Sequence, residues 1–193
     1  MKTPLRVGTV PYLVGRPMDL GLEDEEGIEL QYAVPARLVE GLRSGEIDVA
    51  LVSSIELFRR PEYGYIEGIG VAGRGVVSSV QLFLRKAIED VRTVALDPSS
   101  RTARTLIRIL LADGPAPSFE EVEGDGDPRE LPCDAWLRIG DPALRECHGE
   151  GLAHWNPSEQ WTLQTGLPFV LAPWIVGPGV DLDSHLPAFE RAA

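Results

Sequence analysis

The chain has 193 residues, of which 44% are hydrophobic and 25% charged, and its formal net charge is -12. This length and composition suit one large or two small globular domains. The acidic excess supplies no basic surface for a phosphate backbone, which argues against nucleic acid as a partner. No apolar run approaches the roughly 18 residues that a membrane-spanning helix needs, so we expect no membrane partner.

The first part of the chain alternates strand and helix patterns. Residues 5–10 alternate apolar and small or polar side chains and predict a first strand, and residues 28–34 predict a second. Residues 35–44 carry apolar side chains at helical spacing and are followed by Gly45, which predicts a short helix with a glycine cap. The nearly continuous apolar run at 47–52 is typical of a parallel strand covered on both faces.

The second part continues the alternation. Further strands are predicted at 76–85, 91–96, 135–139 and 167–176, and helices at 101–112 and 158–165. Residues 114–132, rich in Gly, Pro, Asp and Glu, predict an exposed connection with one short strand. Alternating strands and helices predict an α/β fold, with mostly parallel sheet flanked by helices.

The most informative segment joins the strand that ends at Leu96 to the next helix. Its polar residues are Ser99, Ser100, Arg101 and Thr102. A helix N-terminus presents backbone N–H groups and partial positive charge, and neighbouring hydroxyls add donors, so this segment is a candidate anion site. The alternative is that one serine caps the helix and that Arg101 faces solvent or pairs with an acid.

Other polar residues also lie in or next to predicted strands. Ser54 follows the 47–52 strand, Ser79 stands in a Val-Ser-Ser-Val segment, and Asp141 follows the 135–139 strand. Ligands of open α/β sheets bind at the carboxyl ends of strands, so these side chains are candidates to line one binding site. Turn serines that bond their own backbone, and an Asp141 that caps the following turn, are the alternatives.

The sequence predicts neither a metal site nor a cofactor. Cys133 and Cys147 have no paired spacing, and His148 and His154 lie in what reads as a Gly-rich loop with no common metal pattern. The sequence contains no phosphate loop, dinucleotide fingerprint or nucleophile elbow, so we expect no nucleotide cofactor and no covalent catalysis.

Five segments together resemble one known family, the chorismate dehydratases of the futalosine-dependent menaquinone pathway. They occur in the family's order and extend over most of the chain: Val10–Leu13, Ser44–Glu56, Leu96–Thr102, Ile139–Leu144 and Thr165–Val170. The Leu-Asp-Pro-Ser-Ser-Arg-Thr segment is the most specific of them.

The resemblance implies a fold and a site. The fold would be periplasmic-binding-protein-like, of type II, with a shortened C-terminal part and the substrate between two lobes. We expect lobe 1 at residues 1–75, lobe 2 at 76–175, and a return segment towards lobe 1 at 176–193. The expected substrate-binding residues are Tyr12, Ser54, Ser79, Ser99, Ser100, Arg101, Thr102 and Asp141.

The resemblance also implies a reaction, in which chorismate loses water to give 3-[(1-carboxyvinyl)oxy]benzoate without a metal or organic cofactor. A carboxylate of the substrate is a candidate base. In the family the Tyr-Leu pair is usually followed by Asn, whereas Val14 stands here. The alternative function is therefore a weakly active or inactive relative that binds a small carboxylated metabolite.

Three further expectations concern context. The N-terminus runs directly into the first strand without a secretory signal pattern, so we expect a cytoplasmic protein. An exported solute-binding protein of the same fold is the alternative on this point. The partner is expected to be a small anionic metabolite, and the chain a monomer or a homodimer.

Overall fold

A computed structural model describes residues 3–114, 116–124 and 126–193. The chain divides into two compact units: unit 1 is Met1–Val71 with Val170–Ala193, and unit 2 is Ala72–Phe169. The strands form two five-stranded sheets. In chain order the elements are β1 (Leu5–Thr9), α1 (Arg16–Asp19), β2 (Ile28–Tyr32), α2 (Pro35–Ser44), β3 (Val49–Leu51), α3 (Ile55–Arg59), β4 (Gly64–Gly73), β5 (Val80–Leu84), β6 (Thr93–Leu96), α4 (Arg101–Leu110), β7 (Ser118–Glu121), β8 (Ala135–Ile139), α5 (Gly140–Gly149), β9 (His154–Trp155), α6 (Pro157–Thr165), β10 (Phe169–Val176) and α7 (Leu186–Ala192).

Sheet 1 has the strand order β2-β1-β3-β10-β4. β1 pairs in parallel with β2 and β3, and β10 runs antiparallel to β3. The predicted helix at 35–44 is confirmed, and Gly45 ends it in the left-handed region (φ 76°), which glycine adopts without steric cost. Trp174 of β10 is fully buried against Phe189 of α7, with ring centroids 5.1 Å apart.

Sheet 2 repeats this plan with the order β7-β6-β8-β5-β9. β6 pairs in parallel with β7 and β8, and β5 runs antiparallel to β8 and β9. In each sheet three neighbouring strands pair in parallel, and the earliest of the three in sequence lies between the other two: β1 in sheet 1 and β6 in sheet 2. The structure therefore confirms the predicted α/β architecture of parallel strands with helices, and each sheet also contains an antiparallel strand.

The loop predicted around His148 and His154 is wrong. His148 lies in α5 and His154 in β9. The buried face of α5 includes Glu146, whose carboxylate accepts bonds from Trp136 Nε1 (2.9 Å) and Arg138 Nε (2.8 Å). The helix thus packs a charged residue inward, so its sequence lacks the helical spacing of apolar residues that would predict it.

The connection predicted at 114–132 contains residues 115 and 125, which lie outside the described residues. Elsewhere in this range β7 forms the edge of sheet 2, as the short strand that the sequence predicts, and three of its four residues are exposed. A single 3-10 turn follows at Pro128–Glu130, where the Asp127 carboxylate accepts a bond from the backbone N–H of Arg129 (2.8 Å).

Asp134 is expected to make the stability of unit 2 sensitive to acid. The ammonium of Lys86 (2.6 Å) and the backbone N–H groups of Arg92 and Thr93 bind its carboxylate and lower its pKa to about 2. A carboxyl with a depressed native pKa contributes stability above its unfolded pKa of about 3.9, and loses it as pH falls through the native value. We expect Asp134→Asn to flatten the fall in stability between about pH 4 and pH 2.

Denaturant midpoints measured from pH 2 to pH 6 test this expectation. Asp90→Asn removes the same charge from an exposed position nearby and serves as the control. An Asp134→Asn protein whose acid slope equals that of wild type would contradict the assignment.

Candidate functional site

Unit 2 gathers six of the predicted residues at one edge of sheet 2. Ser99, Ser100, Arg101 and Thr102 follow the carboxyl end of β6, and Asp141 follows that of β8. Ser79 precedes β5, which runs antiparallel, and its carbonyl accepts a 2.8 Å bond from Gly140 N at the end of β8. These six residues therefore lie at the carboxyl edge of the parallel strands, where α/β sheets bind ligands.

The loop between β6 and α4 is held by Asp97, which is only 4% exposed. Oδ1 of Asp97 accepts bonds from the backbone N–H of Ser99 (2.8 Å) and from its hydroxyl (2.5 Å). Oδ2 accepts a bond from the backbone N–H of Ile139 (3.2 Å), the last residue of β8. One carboxylate thus joins the carboxyl ends of two neighbouring strands.

Ser100 is the N-cap of α4, as the alternative interpretation of this segment expected for one serine. Its Oγ accepts a 3.1 Å bond from the backbone N–H of Ala103. The ten-residue helix directs the N–H groups and the positive end of its dipole at this edge of the sheet. Arg101 is half-buried and Thr102 is buried, so the first turn is packed rather than solvated.

Asp141 lies in the first turn of α5, where a negative charge is favourable to the helix dipole. The turn that precedes it depends on Gly140, whose φ of +65° lies in the left-handed region. Asp141 and Ser79 are both half-buried, so neither residue is fully enclosed by the protein.

Unit 1 carries the other two predicted residues, at the carboxyl edge of sheet 1. The Ser54 hydroxyl donates a 2.8 Å bond to the carbonyl of Val170, and its backbone N–H donates to Leu171 O (3.1 Å). Ser54 therefore fastens the end of β3 to β10. Tyr12 packs against the core of unit 1 after β1, and the next two side chains, Leu13 and Val14, are 71% and 40% exposed.

A buried acid in α1, next to the end of β1, was not predicted. Asp19 is fully buried, and its Oδ2 accepts a 3.0 Å bond from the hydroxyl of Thr9. Burial raises the pKa of the Asp19 carboxyl, against the opposing effects of Thr9 and of Arg16, whose Nη1 lies 3.2 Å from Oδ1. Arg16 also donates a 2.5 Å bond to the phenol oxygen of Tyr32 at the end of β2. Sequence reasoning overlooked both Asp19 and Asp97, although the Asp-Pro-Ser pattern of residues 97–99 is typical of an Asx turn.

The described residues contain neither a grouped set of metal ligands nor a helix that could span a membrane. Within residues 3–114, 116–124 and 126–193, no three or more His, Cys, Asp or Glu side chains are grouped to hold a metal ion. In the same ranges no helix is both long enough and apolar enough to cross a membrane.

Solved structures that superpose on the chain identify its fold. The chain superposes on protein AF1704 from Archaeoglobus fulgidus with a TM-score of 0.76 at 18% identity, covering 99% of this chain and 74% of that one. It superposes on the periplasmic aliphatic sulphonate binding protein SsuA from Escherichia coli with a TM-score of 0.62 at 15% identity, covering 100% and 73%. The fold is therefore periplasmic-binding-protein-like.

Sequence comparison identifies the family. The family model described as menaquinone biosynthesis matches residues 5–193. A chorismate dehydratase from Thermus thermophilus is 32% identical, over 85% of this chain and 69% of that protein. One from Campylobacter jejuni is 29% identical, over 83% of this chain and 58% of that protein. The chain belongs to the menaquinone biosynthesis family.

Proposed function

We propose that the chain is a chorismate dehydratase, a carbon-oxygen lyase that converts chorismate into 3-[(1-carboxyvinyl)oxy]benzoate and water. The identity to the Thermus thermophilus enzyme supports this proposal. The observation that carries it is the built edge of unit 2, where the Leu96–Thr102 segment forms a capped helix N-terminus held by a buried carboxylate.

Chorismate has the charge that such an edge binds. It carries two carboxylates, and a carboxylate accepts bonds from backbone N–H groups at a helix N-terminus and from serine hydroxyls. In our proposal one carboxylate binds at Ser100 and the first turn of α4. Ser79 and Asp141 lie at the same edge, and Asp141 offers an acceptor for the ring hydroxyl. Contacts of Tyr12 and Ser54 of unit 1 with the substrate stay a prediction.

The chemistry that this arrangement must support is a 1,2-elimination. A ring C–H bond breaks: its proton passes to a base, for which a carboxylate of the substrate is the candidate, and its electron pair becomes part of the new aromatic system. The bond from the adjacent ring carbon to its hydroxyl oxygen breaks, and the departing hydroxide takes up a proton, so that the H and OH removed from the ring leave together as water. Aromatisation makes the reaction favourable, so holding the ring in one orientation supplies much of the required rate. The chain's part is to fix the carboxylates and to donate hydrogen bonds to the departing oxygen.

One observation favours a second candidate, a weakly active relative that binds a carboxylated metabolite. Val14 replaces the Asn that usually follows the Tyr-Leu pair in this family, and its side chain is 40% exposed. A valine can neither donate nor accept a hydrogen bond at that position.

The deciding experiment mixes the purified chain with chorismate alone and resolves the products by mass, beside a boiled-protein control. We expect a product 18 mass units lighter than chorismate, in a mixture that contains no added cofactor. Binding without this product would favour the second candidate, and Val14→Asn should then restore turnover. If the chain neither binds chorismate nor forms the product, both candidate functions are refuted.

We further propose a cytoplasmic location, which cell fractionation tests. We also propose a monomeric or homodimeric state, which light scattering tests.

A further inference from the structure

We infer that Asp97 is a positioning residue for substrate binding, and that it makes Ser100, not Ser99, the serine that donates a hydrogen bond to the substrate carboxylate. This inference rests on the proposed function. It concerns how the two hydroxyls that follow β6 are divided between the protein and the ligand.

The argument begins with the count of hydroxyl hydrogens. A serine hydroxyl has a single hydrogen to donate. Ser99 donates its hydrogen to Oδ1 of Asp97 at 2.5 Å, so its oxygen offers only lone pairs to a ligand. A carboxylate ligand also offers only lone pairs, and the two repel. While Asp97 holds Ser99 in this way, Ser99 cannot bind an anion through its side chain.

Ser100 has the opposite arrangement. Its oxygen accepts the backbone N–H of Ala103 at 3.1 Å, which fixes the oxygen at the helix N-terminus and uses a lone pair. The hydroxyl hydrogen is then the part of the side chain that can donate to an anion. The hydroxyl is polarised in the useful direction, because a hydrogen-bonded oxygen becomes a better donor through its own hydrogen.

Asp97 also fixes where this donor stands. Its two oxygens bind different segments: Oδ1 binds Ser99 after β6, and Oδ2 binds the backbone N–H of Ile139 at the end of β8. Gly140 follows Ile139 and bonds to Ser79 O at 2.8 Å. The carboxylate therefore sets the spacing between the Ser100 donor and the turn that carries Asp141, although the buried carboxylate itself need not touch the substrate.

Replacing Asp97 by Asn tests the positioning role. An amide keeps the shape of the carboxylate but has one accepting oxygen and one donating NH2 group. The NH2 group must therefore face the backbone N–H of either Ser99 or Ile139, and two donors cannot bond to each other. We expect KM for chorismate to rise about tenfold or more while kcat changes less, since a binding interaction is lost. Hydrogen exchange at the amides of Ser99 or Ile139 should become faster in the absence of any substrate.

Replacing each serine by alanine tests the division of roles. We expect Ser100→Ala to raise KM by about tenfold, the usual loss for a hydrogen bond to a charged group, and Ser99→Ala to raise it by less than about threefold. If Asp97 acts through Ser99, the effects of Asp97→Asn and Ser99→Ala should be non-additive in the double variant. Ser118→Ala, an exposed serine of β7, is the control with unchanged kinetics.

The outcomes separate the inference from the function. A wild-type chain that neither binds nor converts chorismate refutes the function and the inference together. A working wild type in which Ser99→Ala costs as much as Ser100→Ala, or in which Asp97→Asn leaves KM within twofold, overturns the inference alone. If the Asp97→Asn chain does not fold, the two serine variants keep the Asp97 carboxylate and decide the question.

Discussion

Replacement of Ser100 by Asp is expected to leave the chain folded while lowering its affinity for chorismate by about 100-fold or more. Asp is as good an N-cap as Ser, and its charge is favourable at a helix N-terminus, so α4 keeps its cap. A carboxylate about 4 Å from a ligand carboxylate costs about 4 kcal/mol near a protein surface, which exceeds a 100-fold loss. Titration of chorismate by calorimetry, with a denaturant melt for stability, measures both quantities.

Ser100→Asn is the matched control for this prediction, because Asn caps the helix equally well and adds no charge. Its affinity should lie between those of wild type and Ser100→Asp. Ser118→Asp adds the same charge at an exposed position of β7 and should bind chorismate like wild type. Should Ser100→Asp bind chorismate as tightly as wild type, Ser100 is only a helix cap and the anion site lies elsewhere.

The elements that the sequence predicts are those whose own residues dictate their conformation. Helix α2 has apolar residues on one face, a proline in its first turn and a glycine cap, and it occupies the predicted residues 35–44. The strand β8 likewise matches the prediction at 135–139, because its apolar run fits a sheet interior.

The missed elements depend on contacts that are distant in sequence. β4 contains several glycines and carries no strand pattern, yet Gly70 is needed there. A Cβ at Gly70 would lie 3.0 Å from the carbonyl oxygen of Ala172 and 3.0 Å from the Cα of Pro173 in β10. Only the structure shows that the backbone of β10 comes so close. Helix α5 was missed for a related reason, since its buried Glu146 is inward-facing only because Trp136 and Arg138 of β8 bind it.

The same distinction applies to the candidate site. The sequence predicts polar residues at strand ends because strand ends are local features, and the structure places six of those residues at one edge of sheet 2. The sequence could not predict which partners these residues bind through hydrogen bonds. The bond from Ile139 N to Asp97 spans 42 positions in the sequence and depends on the parallel pairing of β6 with β8.

Trp174→Ala is expected to have the largest effect on stability, lowering the free energy of unfolding of unit 1 by about 3–5 kcal/mol. Trp174 is fully buried in β10 opposite Leu51 of β3, and its ring meets Phe189 of α7 edge to face at 5.1 Å. The truncation therefore leaves a cavity that β3, β10 and α7 all border. Among the described residues the buried indole N–H has no hydrogen-bond partner, so the loss comes from packing rather than from a broken polar contact.

Two variants make this packing argument testable by urea titration. Trp174→Phe keeps an aromatic ring, removes the unpaired N–H and should cost less than about 1.5 kcal/mol. Phe58→Ala removes an aromatic ring that is 83% exposed in the same unit, and should change stability by no more than about 0.5 kcal/mol. If Phe58→Ala costs as much as Trp174→Ala, burial does not determine the stability of unit 1. If Trp174→Phe costs as much as Trp174→Ala, an aromatic ring at this position does not stabilise unit 1, and the packing of β10 against α7 is not what holds the return segment of the chain in place.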